Sequence, residues 1–171
     1  MQCPNIYNLA CNRIFNVEHE PHMHFNGKRI LVPVDGSTAA DNAFRWACQI
    51  AKHSKAELHA IYIDEIPLEL PLDTHFTGED NIGEHILNDI EQIADEEKCK
   101  VKAQLLKARH TGPAIVLEAA DREMEMIILG APFQNTVSLN SISNLGIYLL
   151  QHAHCQVIIW RENLEVAPLS A

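Results

Sequence analysis

Positive charge is scarce in this chain of 171 residues, where 13 Lys and Arg stand against 23 Asp and Glu for a formal net charge of -10. That balance argues against a nucleic-acid backbone or an anionic membrane surface as the main partner, because both are polyanions. The shortage is sharpest between residues 123 and 160, which contain no Lys or Arg at all. Cysteine is sparse too. The five present, Cys3, Cys11, Cys48, Cys99 and Cys155, are odd in number and widely spaced, with no C-x-x-C pair. A secreted disulfide framework is therefore not indicated, and reduced thiols are the expectation. No apolar run reaches the length of a membrane-spanning helix. The opening Met1-Gln2-Cys3-Pro4-Asn5 lacks the basic region and apolar stretch of a signal peptide, so the expected location is cytoplasmic.

What is present is an ordinary globular composition, 47% hydrophobic and 21% charged. The length suits one domain that can bury a core without a disulfide or metal staple. Residues 1–27, rich in Asn and His and without sustained period, read as an N-terminal extension. Regularity begins at Lys28. Arg29-Ile30-Leu31-Val32-Pro33-Val34 is a nearly continuous apolar run, as in a strand buried on both faces. Asp35-Gly36-Ser37-Thr38 turns the chain, and Thr38 with Asp41 has capping-box spacing. Ala40, Ala43, Phe44, Ala47, Ile50 and Ala51 then recur at helical spacing to about Ser54.

The alternation continues. Leu58 to Ile63 reads as a second strand, residues 64–80 as a long loop, and Ile82, Ile86, Ile90, Ile93 and Ala94 as a second helix. Val101, Ala103 and Leu105 alternate with Lys102 and Gln104, which predicts a strand with one wet face near a sheet edge. Gly112-Pro113 opens a third helix, proline being favoured at the first helical position. Met126 to Leu129 is a fully apolar strand ended by Gly130. Leu139, Ile142, Leu145, Leu149 and Ala153 outline a fourth helix, and Val157 to Trp160 a fifth strand. Strands alternating with helices imply parallel pairing, right-handed crossovers and an open, doubly wound α/β sheet.

In such sheets ligands bind outside the carboxyl ends of the strands, where the strand order reverses. The two most apolar strands, ending at Val34 and Leu129, should lie side by side at the centre. A crevice is then expected between Asp35-Gly36-Ser37 and Gly130-Ala131-Pro132. Asp35 is either a hydrogen-bond acceptor for a ribose or base, or a turn residue and helix cap. Ser37 fits a cap better than a nucleophile. No His-Asp pair is spaced for a triad, and no general acid–base pair is apparent, so no catalytic residues are assigned.

These segments resemble the universal stress proteins. Ile30 to Ser37 looks like that family's opening strand and turn, and Gly112-Pro113-Ala114-Ile115 like the start of its third helix. Met126 to Gly130 and Ala153 to Arg161 look like its closing strands. The resemblance spans residues 28–161 and leaves 162–171 as a C-terminal tail. It implies a single-domain three-layer sandwich around five parallel strands in the order 3-2-1-4-5, which agrees with the crevice above. Many family members bind ATP through G-x-x-G, nine residues, then G followed by Ser, Thr or Asn. In this chain Gly130 keeps the first glycine, Phe133 takes the second position, and Ser143, followed by Asn144, takes the third. Glycine lets backbone N–H groups approach phosphates, and a ring at Phe133 would fill that space. What is left to face an anion is backbone amide, the hydroxyls of Ser141 and Ser143, and a helix N-terminus.

The expectation is therefore a non-enzymatic stress-response or regulatory protein with a degraded ATP motif and no cofactor. The alternative is a switch that binds ATP or another adenine nucleotide through Pro33, Val34, Asp35, Tyr62, Gly130, Ser143 and Asn144. Tyr62 stands where the resemblance places a residue flanking adenine, although an ordinary strand aromatic explains it as well. A weaker third reading, an enzyme of a related adenine-nucleotide α/β-hydrolase group, would need basic residues in the phosphate loop. Val157, Ile158, Ile159 and Trp160 are apolar on both faces with no Lys or Pro guarding them. The resemblance implies that this last strand pairs two copies into a homodimer. Protein partners beyond that are unknown from sequence. His19, His22 and His24, with Cys3 and Cys11 upstream, carry donor chemistry for zinc, copper or nickel but match no closed site. They are weak metal candidates set against a solvated, His-rich arm.

Overall fold

The computed structural model describes residues 28–73, 80–131 and 144–161. Five strands and four helices alternate in these segments. They are β1 (Arg29–Pro33), α1 (Thr38–Ser54), β2 (Glu57–Glu65), α2 (Asp80–Glu96), β3 (Val101–Ala108), α3 (Thr111–Asp121), β4 (Met126–Ala131), α4 (Asn144–His152) and β5 (Gln156–Arg161). All pairings are parallel and the sheet order is β3-β2-β1-β4-β5. The expected fold class is thus the observed one. The extension 1–27, with His19, His22 and His24, lies outside the described residues, as do the tail 162–171 and the segment 132–143.

The apolar runs of β1 and β4 are continuous because helices cover both faces of the central sheet. Side chains alternate across a strand. Accordingly Ile30 and Val32 of β1, with Met126 and Ile128 of β4, enter a core shared with Phe44, Ala47 and Ile90 of α1 and α2. Leu31, Ile127 and Leu129 enter the opposite core, shared with Ile115 and Leu149 of α3 and α4. Each such fully buried aliphatic side chain stabilises the fold by roughly 1.5–3 kcal/mol.

Several boundaries differ from the sequence reading. The cap of α1 is Ser37, not Thr38: its hydroxyl accepts from the Ala40 N–H at 3.2 Å. Ala40 therefore occupies the third helical position, where a capping box needs an acid. Pro113 sits third rather than first in α3, still within the turn where a missing N–H costs no bond. β2 runs on to Glu65 and β3 to Ala108, so the loop after β2 starts later than expected. Leu139 and Ile142 fall in the undescribed segment, and α4 is described from Asn144.

Three helices stop without glycine. Lys55, Lys98 and Glu123 adopt left-handed φ values of 57°, 52° and 50°. After α2, Lys98 N donates to Asp95 O at 3.0 Å and Cys99 N to Ala94 O at 2.8 Å. After α3, Glu123 N donates to Ala120 O at 3.0 Å and Met124 N to Ala119 O at 2.7 Å. Both are Schellman endings, in which the residue after the left-handed one packs back on the helix.

Candidate functional site

The sheet order reverses between β1 and β4, which pair directly through Ile30–Met126 and Leu31–Ile127. Past their carboxyl ends a cavity of about 170 Å³ opens. Pro33, Val34 and Asp35 line it from the end of β1, Tyr62 from β2 and Gly130 from β4. These are five of the seven residues the sequence pointed to for a nucleotide. Ser143, Phe133 and Ser141 lie outside the described residues. Asn144 lines a neighbouring depression with Glu65, His110 and Thr111.

Local chemistry shapes each wall. Asp35 Oδ1 accepts from the Ser37 N–H at 2.9 Å, closing the turn that delivers Ser37 to its capping position. Asp35 therefore has the structural role, while its exposed carboxylate also borders the cavity. Gly36 follows at φ +77°, where an added Cβ would also sit 2.9 Å from Ile86. Tyr62 packs on the core between the sheet and α2, its ring against Gly83. Tyr62 thus packs along one face and borders the cavity with another.

Gly130 is explained by packing. A Cβ there would lie 2.4 Å from the Ala39 carbonyl oxygen and 2.6 Å from the Ala40 nitrogen. The first turn of α1 rests directly on the end of β4, and only glycine permits that approach.

The charge around the cavity is negative. Asp35 is its one charged lining residue among the described residues. Nearby Asp41 has its carboxyl pushed above the ordinary range, first by burial and then by Asp89, with Asp35 adding to the effect and Arg45 opposing it. Beside the cavity, Glu65 Oε1 accepts from both the backbone N–H and the hydroxyl of Thr111, at 2.6 and 2.7 Å. These bonds hold the Glu65 carboxyl below its ordinary range. The N-terminus of α3, which could face an anion, is already occupied by this carboxylate.

Sequence reasoning missed Glu65, Thr111, Ile61, Ile63 and Leu145 around the site. Thr111, just before Gly112-Pro113, was findable as a helix start. Glu65 caps a helix 46 residues away, and no local pattern encodes that. Among the described residues no group of three or more His, Cys, Asp or Glu side chains is placed to hold a metal. No described helix is long and apolar enough to cross a membrane.

An open parallel sheet with its cavity at the strand-order reversal defines a doubly wound α/β domain. The chain belongs to the universal stress protein family, whose family model matches residues 27–161. A universal stress protein of Methanocaldococcus jannaschii is 24% identical over 138 residues, covering 77% of this chain and 81% of that protein. Among solved structures, the universal stress protein UspA from Lactobacillus plantarum superposes with a TM-score of 0.61 at 26% identity, over 78% of this chain and 97% of that one. A universal stress family protein from Arabidopsis thaliana, with AMP bound, gives 0.59 at 16% identity, over 84% and 97%.

Proposed function

We propose that this chain is a non-enzymatic regulatory domain of the stress response, acts as a homodimer through β5, and holds no ATP by a triphosphate cradle. The observation that carries the reading is electrostatic. The cavity's charged lining is Asp35, the neighbouring helix N-terminus is taken by Glu65, and residues 123–160 supply no cation. A triphosphate brings several negative charges, and the described lining offers it one carboxylate and no Lys or Arg. Phe133 and Ser143 stand in the sequence at motif positions where glycine would permit close backbone approach to phosphate. Gly130, the one motif glycine retained, is accounted for by α1 packing.

A second reading has its own support. Pro33, Val34, Asp35 and Tyr62 border a cavity with room for a small planar ring, and the Arabidopsis relative carries AMP. An adenine nucleoside or monophosphate would place its base there and leave its polar end outside. A thermal-shift titration with ATP, ADP, AMP and adenosine separates the readings. No movement with any of them is expected. A saturable rise with AMP or adenosine alone transfers the assignment to the second reading, and a rise with ATP overturns the loss of the triphosphate site.

A further inference from the structure

On the face of the sheet away from α3 and α4, two thiols meet. Cys48 lies on the inward stripe of α1 with Phe44, Ala47 and Ala51, and is fully buried. Cys99 follows the Schellman ending of α2. Its N–H reaches back to Ala94 O at 2.8 Å, which turns its side chain onto the same core that holds Cys48. The two side chains pack in that one core and interact there.

The backbones carrying them are already clasped. Lys52, one turn beyond Cys48, donates to the Glu97 carbonyl at 2.6 Å and to its carboxylate at 3.2 Å. Arg45 bonds Glu96 at 2.9 Å. Both thiols are free, and they differ in access. Cys99 is half-buried, with Sγ 3.7 Å from the Lys100 carbonyl oxygen. Cys48 is shielded, its thiol pushed up to about 12, first by burial and then by the adjacent Cys99.

We propose that Cys48 and Cys99 form a reversible disulfide, closed by peroxide and reopened by dithiols, that staples α1 to the turn between α2 and β3. Cys99 reacts first because it is the accessible partner. After losing its proton to solvent, its sulfur attacks one peroxide oxygen, the O–O bond breaks, and the departing hydroxide takes up a proton as water. The product is a sulfenic acid at Cys99. The Cys48 sulfur then attacks the Cys99 sulfur, the S–O bond breaks, and hydroxide leaves with the Cys48 proton as a second water. Two thiols and one peroxide become one disulfide and two waters. A dithiol reverses the bond by exchange, becoming a cyclic disulfide itself.

The test uses the full chain with all its cysteines. Reduced protein is treated with hydrogen peroxide, alkylated, digested and mapped by mass spectrometry. The expected product links the peptides of Cys48 and Cys99 and disappears with dithiothreitol. Cys99→Ser abolishes it, and Cys155→Ser leaves it intact. The oxidised protein should melt higher by roughly 5–10 °C, because the bond closes a long loop in the unfolded chain. Alkylation of both Cys48 and Cys99 after peroxide would overturn the proposal. So would a Cys99 sulfinic acid beside an intact Cys48 thiol, or an oxidised form that melts no higher than the reduced one.

Discussion

Glu65 on β2 and Thr111 at the start of α3 are joined by two hydrogen bonds to a single carboxylate oxygen, one from the backbone N–H and one from the hydroxyl. The residue preceding Thr111, His110, offers α3 no side-chain cap, so the cap comes from another strand. Glu65→Ala should destabilise the domain by about 1 kcal/mol at neutral pH, as for other lost helix caps.

The same pair fixes a pH dependence. Thr111 holds the Glu65 carboxyl below its ordinary 4.5. A depressed folded-state pKa means that the unfolded chain binds the proton more readily. The carboxylate's contribution is therefore complete above about 4.5 and is lost as pH falls through the folded value. Urea melts of the native protein and Glu65→Ala should differ at pH 7 and converge in acid. A gap that stays constant down to low pH would remove the carboxylate from the explanation.

Gly130→Ala tests the account of the retained motif glycine. The new methyl would meet backbone atoms of Ala39 and Ala40 at 2.4–2.6 Å, and backbone cannot rotate aside as a side chain can. The expected cost is about 2–3 kcal/mol, the upper end for overpacking, read by denaturant unfolding. If Gly130 served only a bound anion, the unliganded variant would unfold like the native protein.

Much of the fold was legible because burial on both faces leaves a plain mark. Ile30 to Val34 and Met126 to Leu129 are unbroken apolar runs, and they form the two central strands that border the cavity. Once those strands were placed, Asp35 and Gly130 followed from topology, while Tyr62 came from the family resemblance. The illegible parts depend on contacts distant in sequence. Glu65 reads as one more acid in an acidic loop until β3 and α3 bring Thr111 beside it. Gly130 reads as a phosphate residue until α1 is seen resting on it. Lys55, Lys98 and Glu123 carry no stop signal, because the expected mark of a left-handed helix ending is glycine.

That last point gives a stabilising prediction. A side chain at left-handed φ is strained, and glycine is not. Lys98→Gly and Glu123→Gly should each raise stability by roughly 0.5–1 kcal/mol, with some of the gain offset by the freer unfolded chain. Lys98 has a second use as a control: it leaves Cys99 at the same Schellman position. Urea midpoints that fall in both variants would mean the lysine and glutamate side chains make contributions larger than the strain they carry.

The proposed homodimer would pair through the side of β5 that faces away from β4. β4 occupies one edge of this strand, from Met126–Gln156 to Ala131–Arg161, and no other described strand pairs with its outer edge. Val157, Ile158, Ile159 and Trp160 are only half-buried, so among the described residues the strand sets an outer edge beside partly exposed apolar surface, the combination that templates pairing with a second chain. Gln156 begins the strand with an N–H that a proline would lack, and that N–H donates to Glu125 O at 3.1 Å. Sedimentation at micromolar concentration should give twice the 19.2 kDa chain mass. Ile158→Lys should give a single chain mass while keeping the native far-UV circular dichroism, with some loss of thermal stability as well, because Ile158 also packs on the core beneath α1. A native protein that sediments as one chain, or an Ile158→Lys variant that remains paired, would place the interface elsewhere or remove it.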